Sequence, residues 1–340
     1  MYHFYSFFLI FPRLLLKNGY AIFNNGSIWI TDGGHGNMTK KFDFTGLGFC
    51  SNDYIALLPE IPLDSKVKML EHLIQGGGPA ATSTVAASRL GLKAAFISSV
   101  GDDDAGKKII ADFDTEKVFT KAIQIRSGKT SPVAYCWTDA PTGKRSVAWT
   151  SGDLVEVTPD EIDYELIAAS RVLHLDGHHT RAALAAAKFA KANGVLVNMD
   201  AGTLRDGVPE LLTYTDILIA SEEFARRITG INDLDKAIFK LAEYGAKVTG
   251  ITMGELGSMV LTPEKSILRC PAFKLEKVVD TTGAGDVYHT GFCVRYLETD
   301  DLMECMRFGS AVSALKCGKL GGRTGIPNRN EVDLFLKQRG

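Results

Sequence analysis

A chain of 340 residues with 45% hydrophobic and 23% charged positions holds enough apolar material for one large α/β domain or two smaller ones. Its 38 basic and 40 acidic residues nearly cancel to a net charge of −2, which leaves no basic surplus for nucleic acid or an anionic membrane. The six cysteines, Cys50, Cys136, Cys270, Cys293, Cys305 and Cys317, stand apart without a CxxC pair, which argues against a disulfide framework or zinc site and for a reducing, cytoplasmic setting.

The apolar run from Phe4 to Leu16 is shorter than the roughly 20 residues of a membrane span, and no basic residues precede it as a signal peptide requires. Residues 17–37 are polar, glycine-rich and without periodicity, so 1–37 reads as an extension and 38–340 as the domain. Phe42 to Phe49 predicts a buried strand, Lys66 to Gln75 an edge strand, and Ala80 to Leu90 a helix of small residues. Ala95 to Val100 predicts a strand and Asp104 to Phe113 a helix. Pro132 to Thr138 and Arg145 to Thr150 flank a turn-forming segment as a hairpin. Thr158-Pro159-Asp160-Glu161 is a helix start, with a hydroxyl cap, proline first and glutamate third.

From Val172 onward strands and helices alternate. Strands are predicted at Val172 to Leu175, Val195 to Met199, Ile217 to Ala220, Val248 to Thr252 and Ser258 to Thr262. Helices fall at Arg181 to Asn193, Pro209 to Thr213, Glu222 to Thr229, Leu234 to Tyr244, Val287 to Leu297 and Leu302 to Cys317. Such alternation implies a mainly parallel sheet covered on both faces, with its ligand crevice at the carboxyl ends of the strands.

The most informative segment is Asp280-Thr281-Thr282-Gly283-Ala284-Gly285-Asp286, between a strand-like stretch (Phe273 to Val279) and a helix. The N–H groups of Gly283, Ala284 and Gly285 can converge on an anion at the positive end of that helix. Asp286 follows at once as a base. An anion cradle beside a carboxylate is what phosphoryl transfer to an alcohol requires. Two other glycine motifs fail: Gly128-Lys129-Thr130 has Ile123 where a P-loop needs glycine, and Gly46-Leu47-Gly48 lacks a third glycine.

A second block, Gly76-Gly77-Gly78-Pro79-Ala80-Ala81-Thr82 with Gly101-Asp102-Asp103-Asp104-Ala105-Gly106, lies about two hundred residues upstream. Together the blocks resemble the two signatures of the ribokinase-like (phosphofructokinase-B) carbohydrate kinase family, over roughly Lys40 to the C-terminus. With Gly321-Gly322-Arg323-Thr324-Gly325-Ile326-Pro327, the motif detail is most similar to sulfofructose kinase-like members. The resemblance implies a three-layer α/β/α sandwich with a mainly parallel sheet and a small β lid, near residues 54–76 and 131–151. It implies ATP-dependent phosphorylation of a hydroxymethyl group, a ketose such as fructose or sulfofructose favoured. Nucleosides, 2-keto-3-deoxygluconate and a non-catalytic sugar-binding regulator stay open as alternatives.

On the substrate side the resemblance points to Asp53, Gly77, Gly78 and Thr82, the last standing where the family usually has Asn. Arg145 in the hairpin could face an anionic substrate group or simply be solvated. On the nucleotide side it points to Ser221, Thr252, Gly254 and Gly257, with weaker matches at Asp200 and Arg205. Ser221-Glu222-Glu223-Phe224 stands in place of an Asn-x-x-Glu element, which leaves Glu222 to position Mg²⁺. Asp280 and Thr282 match positions that hold a monovalent cation, so K⁺ joins ATP and Mg²⁺ as an implied cofactor. His174, His178 and His179 read as structural or substrate-edge residues rather than metal ligands, and His289 as packing. The exposed lid strands suggest a homodimer joined through the lid.

Overall fold

The computed structural model describes residues 19–24, 27–32 and 40–339. Strands β1 (Gly19–Asn24) and β2 (Ser27–Asp32) pair antiparallel as a unit of their own, a hairpin that the aperiodic reading of 17–37 did not foresee. The rest of the expected 1–37 extension lies outside the described residues.

From Lys40 onward the first elements are β3 (Phe42–Leu47), β4 (Ser51–Leu58), β5 (Glu71–Gly77), α1 (Pro79–Arg89), β6 (Ala94–Gly101), α2 (Asp104–Thr115) and β7 (Ile123–Arg126). Next come β8 (Val133–Asp139), β9 (Arg145–Thr150), α3 (Tyr164–Ala168), β10 (Ser170–Leu175), α4 (Thr180–Ala192), β11 (Leu196–Ala201) and α5 (Val208–Leu212). Then follow β12 (Ile217–Ser221), α6 (Glu222–Thr229), α7 (Leu234–Ala242), β13 (Val248–Thr252), β14 (Ser258–Leu261), β15 (Ile267–Cys270), α8 (Ala284–Tyr296), α9 (Leu302–Lys316) and α10 (Arg329–Gln338).

The large sheet runs β15-β14-β13-β12-β11-β10-β3-β6-β7. Seven of its strands, β7 to β13 in that order, are parallel; β14 and β15 close one edge antiparallel. Side chains alternate between faces, so two cores form. Phe44, Phe96, Val172 and Ile219 pack with Val85 of α1 and Phe292, Met306 and Val312 of α8 and α9. Leu47, Ile97, Leu173, Met199 and Leu218 pack on the other side with the alanine face of α4 and with Leu211, Phe224 and Leu241. This is the ribokinase-like α/β arrangement the motifs implied.

The smaller sheet has the order β5-β4-β8-β9, with β4 and β8 parallel and the outer pairs antiparallel. Several expectations need correction here. The edge strand expected at Lys66 to Gln75 begins only at Glu71, and β4, an unforeseen strand over Ser51–Leu58, is its partner. Phe273 to Val279 is not a strand: Val279 N donates instead to Cys317 O at 2.9 Å, at the end of α9. The helix start at Thr158 yields a 3₁₀ turn over Pro159–Glu161 with its capping box intact, and the α-helix starts again at Tyr164 under an Asp163 cap. β7, β15 and α10 were not foreseen either.

Candidate active site

The carboxyl edge of the large sheet carries the polar residues in sheet order. Asp176 and His178 follow β10, Asp200 lies at the end of β11, Ser221 ends β12 and Thr252 ends β13. Helix α8 packs over β11 and β12 and sets its N-terminus against the middle of this row.

Gly283 caps α8 in the left-handed region (φ 75°) with no side chain satisfying the helix N-terminus. Its Cα lies against Gly322, so a side chain would meet backbone there. The N–H groups of Gly283, Gly285 and Asp286 have no partner among the described residues. Ala284 differs from expectation: its N–H closes the turn onto Thr281 O at 3.2 Å. An anion at this helix end would meet Gly283, Gly285 and Asp286 rather than Ala284.

The carboxyl of Asp286 faces Asp200, Asp176, His289 and Arg145, and burial, followed by the Asp200 charge, pushes it up to about 7. Asp200 is likewise pushed up to about 7 by burial, with Asp176 adding to it. His289, one turn beyond Asp286, is not packing alone: its Nε2 lies 3.2 Å from Asp200 Oδ1. Burial pushes that imidazole down to about 4, so His289 faces Asp200 as a neutral ring that shares a proton with the carboxyl. Arg145 Nη1 reaches Thr281 Oγ1 at 3.4 Å, which places it beside the anion turn.

On the substrate side, Asp53 is buried on β4 and accepts from Ser51 Oγ at 2.5 Å. Burial raises its carboxyl, while Ser51 and the Arg323 guanidinium oppose the rise. A Cβ at Gly77 would overlap the Asp53 carboxylate, and Gly78 (φ 95°) lies on Phe49 O, so both glycines let the chain close on Asp53. Thr82 is buried in the first turn of α1 with its methyl toward Gly283, between the substrate turn and the anion turn.

Cross-strand register puts Arg145, Val147 and Trp149 of β9 on the same face as Ala134, Cys136, Asp53 and Ile55. Beyond Trp149 a cavity of about 120 Å³ is lined by Phe49, Ser98, Glu156, His178 and Arg205 among others. Arg205 Nη2 donates to His178 Nε2 at 3.0 Å. His179 instead fastens the fold, accepting from Val157 N on Nδ1 and meeting Ser98 Oγ with Nε2. His174 is wholly internal and shares a 2.9 Å contact with Asn198 Nδ2.

Sequence reasoning missed Asp176. Its carboxylate accepts from Phe49 N (2.9 Å), Ala80 N (3.1 Å) and His178 N (2.9 Å), joining the β3 to β4 turn, the start of α1 and the turn after β10. It also missed how the C-terminal turn works. Arg323 Nη2 donates to Gly77 O at 3.0 Å, and Asp280 Oδ2 accepts from Gly321 N at 2.8 Å, so one loop holds the substrate turn and the anion turn together.

On the nucleotide side, Ser221, Glu222, Thr252 and Gly254 share an open basin of about 730 Å³ with Glu223, Arg226 and Arg227. Gly257 is not among the residues lining it; its φ of 95° turns the chain closely against Cys270 O. Ser221 Oγ caps α6 by accepting from Phe224 N, and Glu222 pairs with Arg226 at 2.7 Å. Among the described residues no cluster of three metal-ligating side chains exists. A single carboxylate beside this open basin still suits Mg²⁺, which keeps most of its waters.

The monovalent-cation expectation fits less well. Asp280 Oδ1 accepts from both N and Oγ1 of Thr282, its Oδ2 from Gly321, and its carbonyl from Lys316 Nζ.

Residues 46–329 match the model of the pfkB family carbohydrate kinases. The chain belongs to that family. It is 30% identical over 302 residues to a ribokinase of Haemophilus influenzae, covering 86% of this chain and 98% of that one. It is 30% identical over 285 residues to an ATP-dependent ribose-1-phosphate kinase of Halopiger xanaduensis, covering 83% and 93%. A solved Arabidopsis thaliana ribokinase complexed with ribose and ATP superposes with a TM-score of 0.76 at 24% identity, covering 87% of this chain and 99% of that one. The chain is therefore a sugar kinase by family, and the pfkB signatures at Gly76 to Gly106 and Asp280 to Asp286 coincide with the two turns that meet at this site.

Proposed function

We propose that this pfkB kinase transfers the terminal phosphoryl group of ATP to a hydroxymethyl group of a sugar or sugar-like substrate, a ketose of the fructose or sulfofructose type favoured. The observation that carries the reading is Asp286 at the first turn of α8, where three N–H groups have no partners among the described residues. The hydroxymethyl oxygen attacks the γ-phosphorus and its proton passes to Asp286. The bond to the β-phosphate oxygen breaks and ADP leaves with the electron pair. Gly283, Gly285 and Asp286 N–H stabilise the charge gathering on the transferred oxygens. Asp53, Gly77 and Gly78 hold the sugar, Arg145 adds positive charge on the phosphoryl side, and the Trp149 end of the small sheet covers the remote end of the substrate as a lid. Mg²⁺ would neutralise the β- and γ-phosphates when bound, and Glu222 is the residue that would hold it through water. The test is ATP consumption with and without a panel of ketoses, aldoses, a sulfonated ketose and nucleosides. Acceptor-dependent ADP release supports the reading; acceptor binding without turnover defeats it and favours a sugar-binding regulator.

The base is competent only when deprotonated. Because burial and Asp200 hold Asp286 up to about 7, kcat/KM falls as pH drops through that value and levels off above it. Asp200→Asn removes the neighbouring carboxylate and moves this acid limb about one pH unit lower. A pH profile of kcat/KM in both proteins checks it; superimposable limbs refute it.

The outer face of the small sheet carries stacked, exposed Tyr54 and Tyr135 (ring centroids 5.1 Å apart) and exposed Ile74. We read this face as the homodimer contact, since an exposed apolar sheet invites pairing. Light scattering should show a dimeric mass that Tyr135→Glu halves; a monomeric wild type contradicts this. Six unpaired, buried cysteines accord with a cytoplasmic location, and no helix among the described residues is long and apolar enough to cross a membrane.

A further inference from the structure

Lys316, the last residue of α9, is fully buried. Lysine is almost never buried completely unless its charge is paired. Its Nζ donates to the backbone O of Asp280 at 2.7 Å, the residue from which the anion turn springs. The Asp280 carboxylate is fully buried too and is the leading charge favouring the ammonium form of Lys316. That carboxylate already accepts from Thr282 N, Thr282 Oγ1 and Gly321 N. The carbonyl of Lys316 is closed in by Gly325, so the C-terminal loop wraps the same spot. Cys317, Asp286 and Arg145 are the other groups that act on the amine. No other hydrogen-bond partner of Nζ occurs among the described residues.

We propose that the Lys316 ammonium is the resident cation of the anion turn, standing in for the monovalent metal ion expected at Asp280 and Thr282, so that this chain works without K⁺. An ammonium is a compact point charge on a flexible stem and can supply the field a monovalent ion would supply. Here it arrives with the fold. It anchors the Asp280 carbonyl, places a positive charge behind the turn without pairing directly with the Asp280 carboxylate, and keeps Gly283 and its neighbours aimed outward. The proposal rests on the kinase reading for its activity arm only.

The experiment replaces choline chloride by KCl at constant ionic strength and reads both sugar-dependent ATP turnover and thermal unfolding. Wild-type turnover and melting temperature should agree in the two salts, within about twofold and about 1 °C. Lys316→Met should lose roughly a hundredfold in choline, regain activity in KCl or methylammonium chloride, and melt higher in KCl. A wild type that gains about tenfold in turnover or melts clearly higher in KCl overturns the proposal, as does Lys316→Met with undiminished turnover in choline. Should the variant fail to fold, the wild-type comparison decides alone. If the wild type transfers no phosphoryl group in any salt, the kinase reading fails and the melting curves still decide the cation question.

Discussion

Asp286→Asn should lower turnover by roughly three orders of magnitude while leaving the fold and the Michaelis constant for ATP nearly unchanged. Asparagine has the same shape but cannot take the hydroxyl proton. The fold is expected to survive because Asp286 is tied in through its main chain: its carbonyl accepts from Ser83 Oγ and Thr290 Oγ1, both at 3.1 Å. Its carboxyl faces the like charge of Asp200, so the neutral variant should melt no lower than the wild type. Steady-state kinetics with a thermal melt separate the two effects. Wild-type turnover in Asp286→Asn would remove the assigned base.

Asp176→Ala is expected to have the largest effect on stability, a loss of roughly 3–5 kcal/mol. The carboxylate is almost completely buried and accepts from three backbone N–H groups that belong to three different segments. Alanine leaves those donors without acceptors. Because Gly48 lies directly against the carboxylate, it also opens a gap beneath the β3 to β4 turn. A fall in melting temperature of about 10 °C should accompany it. Asp176→Asn should fall between the two, since one amide oxygen cannot serve all three donors. Denaturation with an unchanged slope would show that stability, not compactness, has altered; a melting temperature within a degree or two of wild type would refute the role.

The parallel core was legible because its strands are unbroken apolar runs and its helices carry apolar faces at helical spacing. β4 was not, because Ser51-Asn52-Asp53-Tyr54 reads as a polar turn although it pairs with both β5 and β8. Phe273 to Val279 misled in the opposite direction: its residues suit a strand, but its end bonds to a helix terminus. At the site, glycines and carboxylates adjacent in sequence were readable. Asp200 with His289, Asp176 with Phe49 and Ala80, and Lys316 with Asp280 are contacts between distant segments. Spacing carries no trace of them. A signal did exist for Lys316, a single charge within the small-residue run Ala311 to Cys317, and for Asp176, a carboxylate at a parallel strand's end followed by glycine.

A crystal structure of the enzyme with a non-hydrolysable ATP analogue, Mg²⁺ and an accepted sugar tests this geometry most directly. The terminal phosphate should lie within hydrogen-bond reach, about 3 Å, of the N–H groups of Gly283 and Gly285, with the acceptor hydroxymethyl oxygen between it and the Asp286 carboxylate. A terminal phosphate held elsewhere, or a sugar whose hydroxyls do not approach Asp286, would contradict the account.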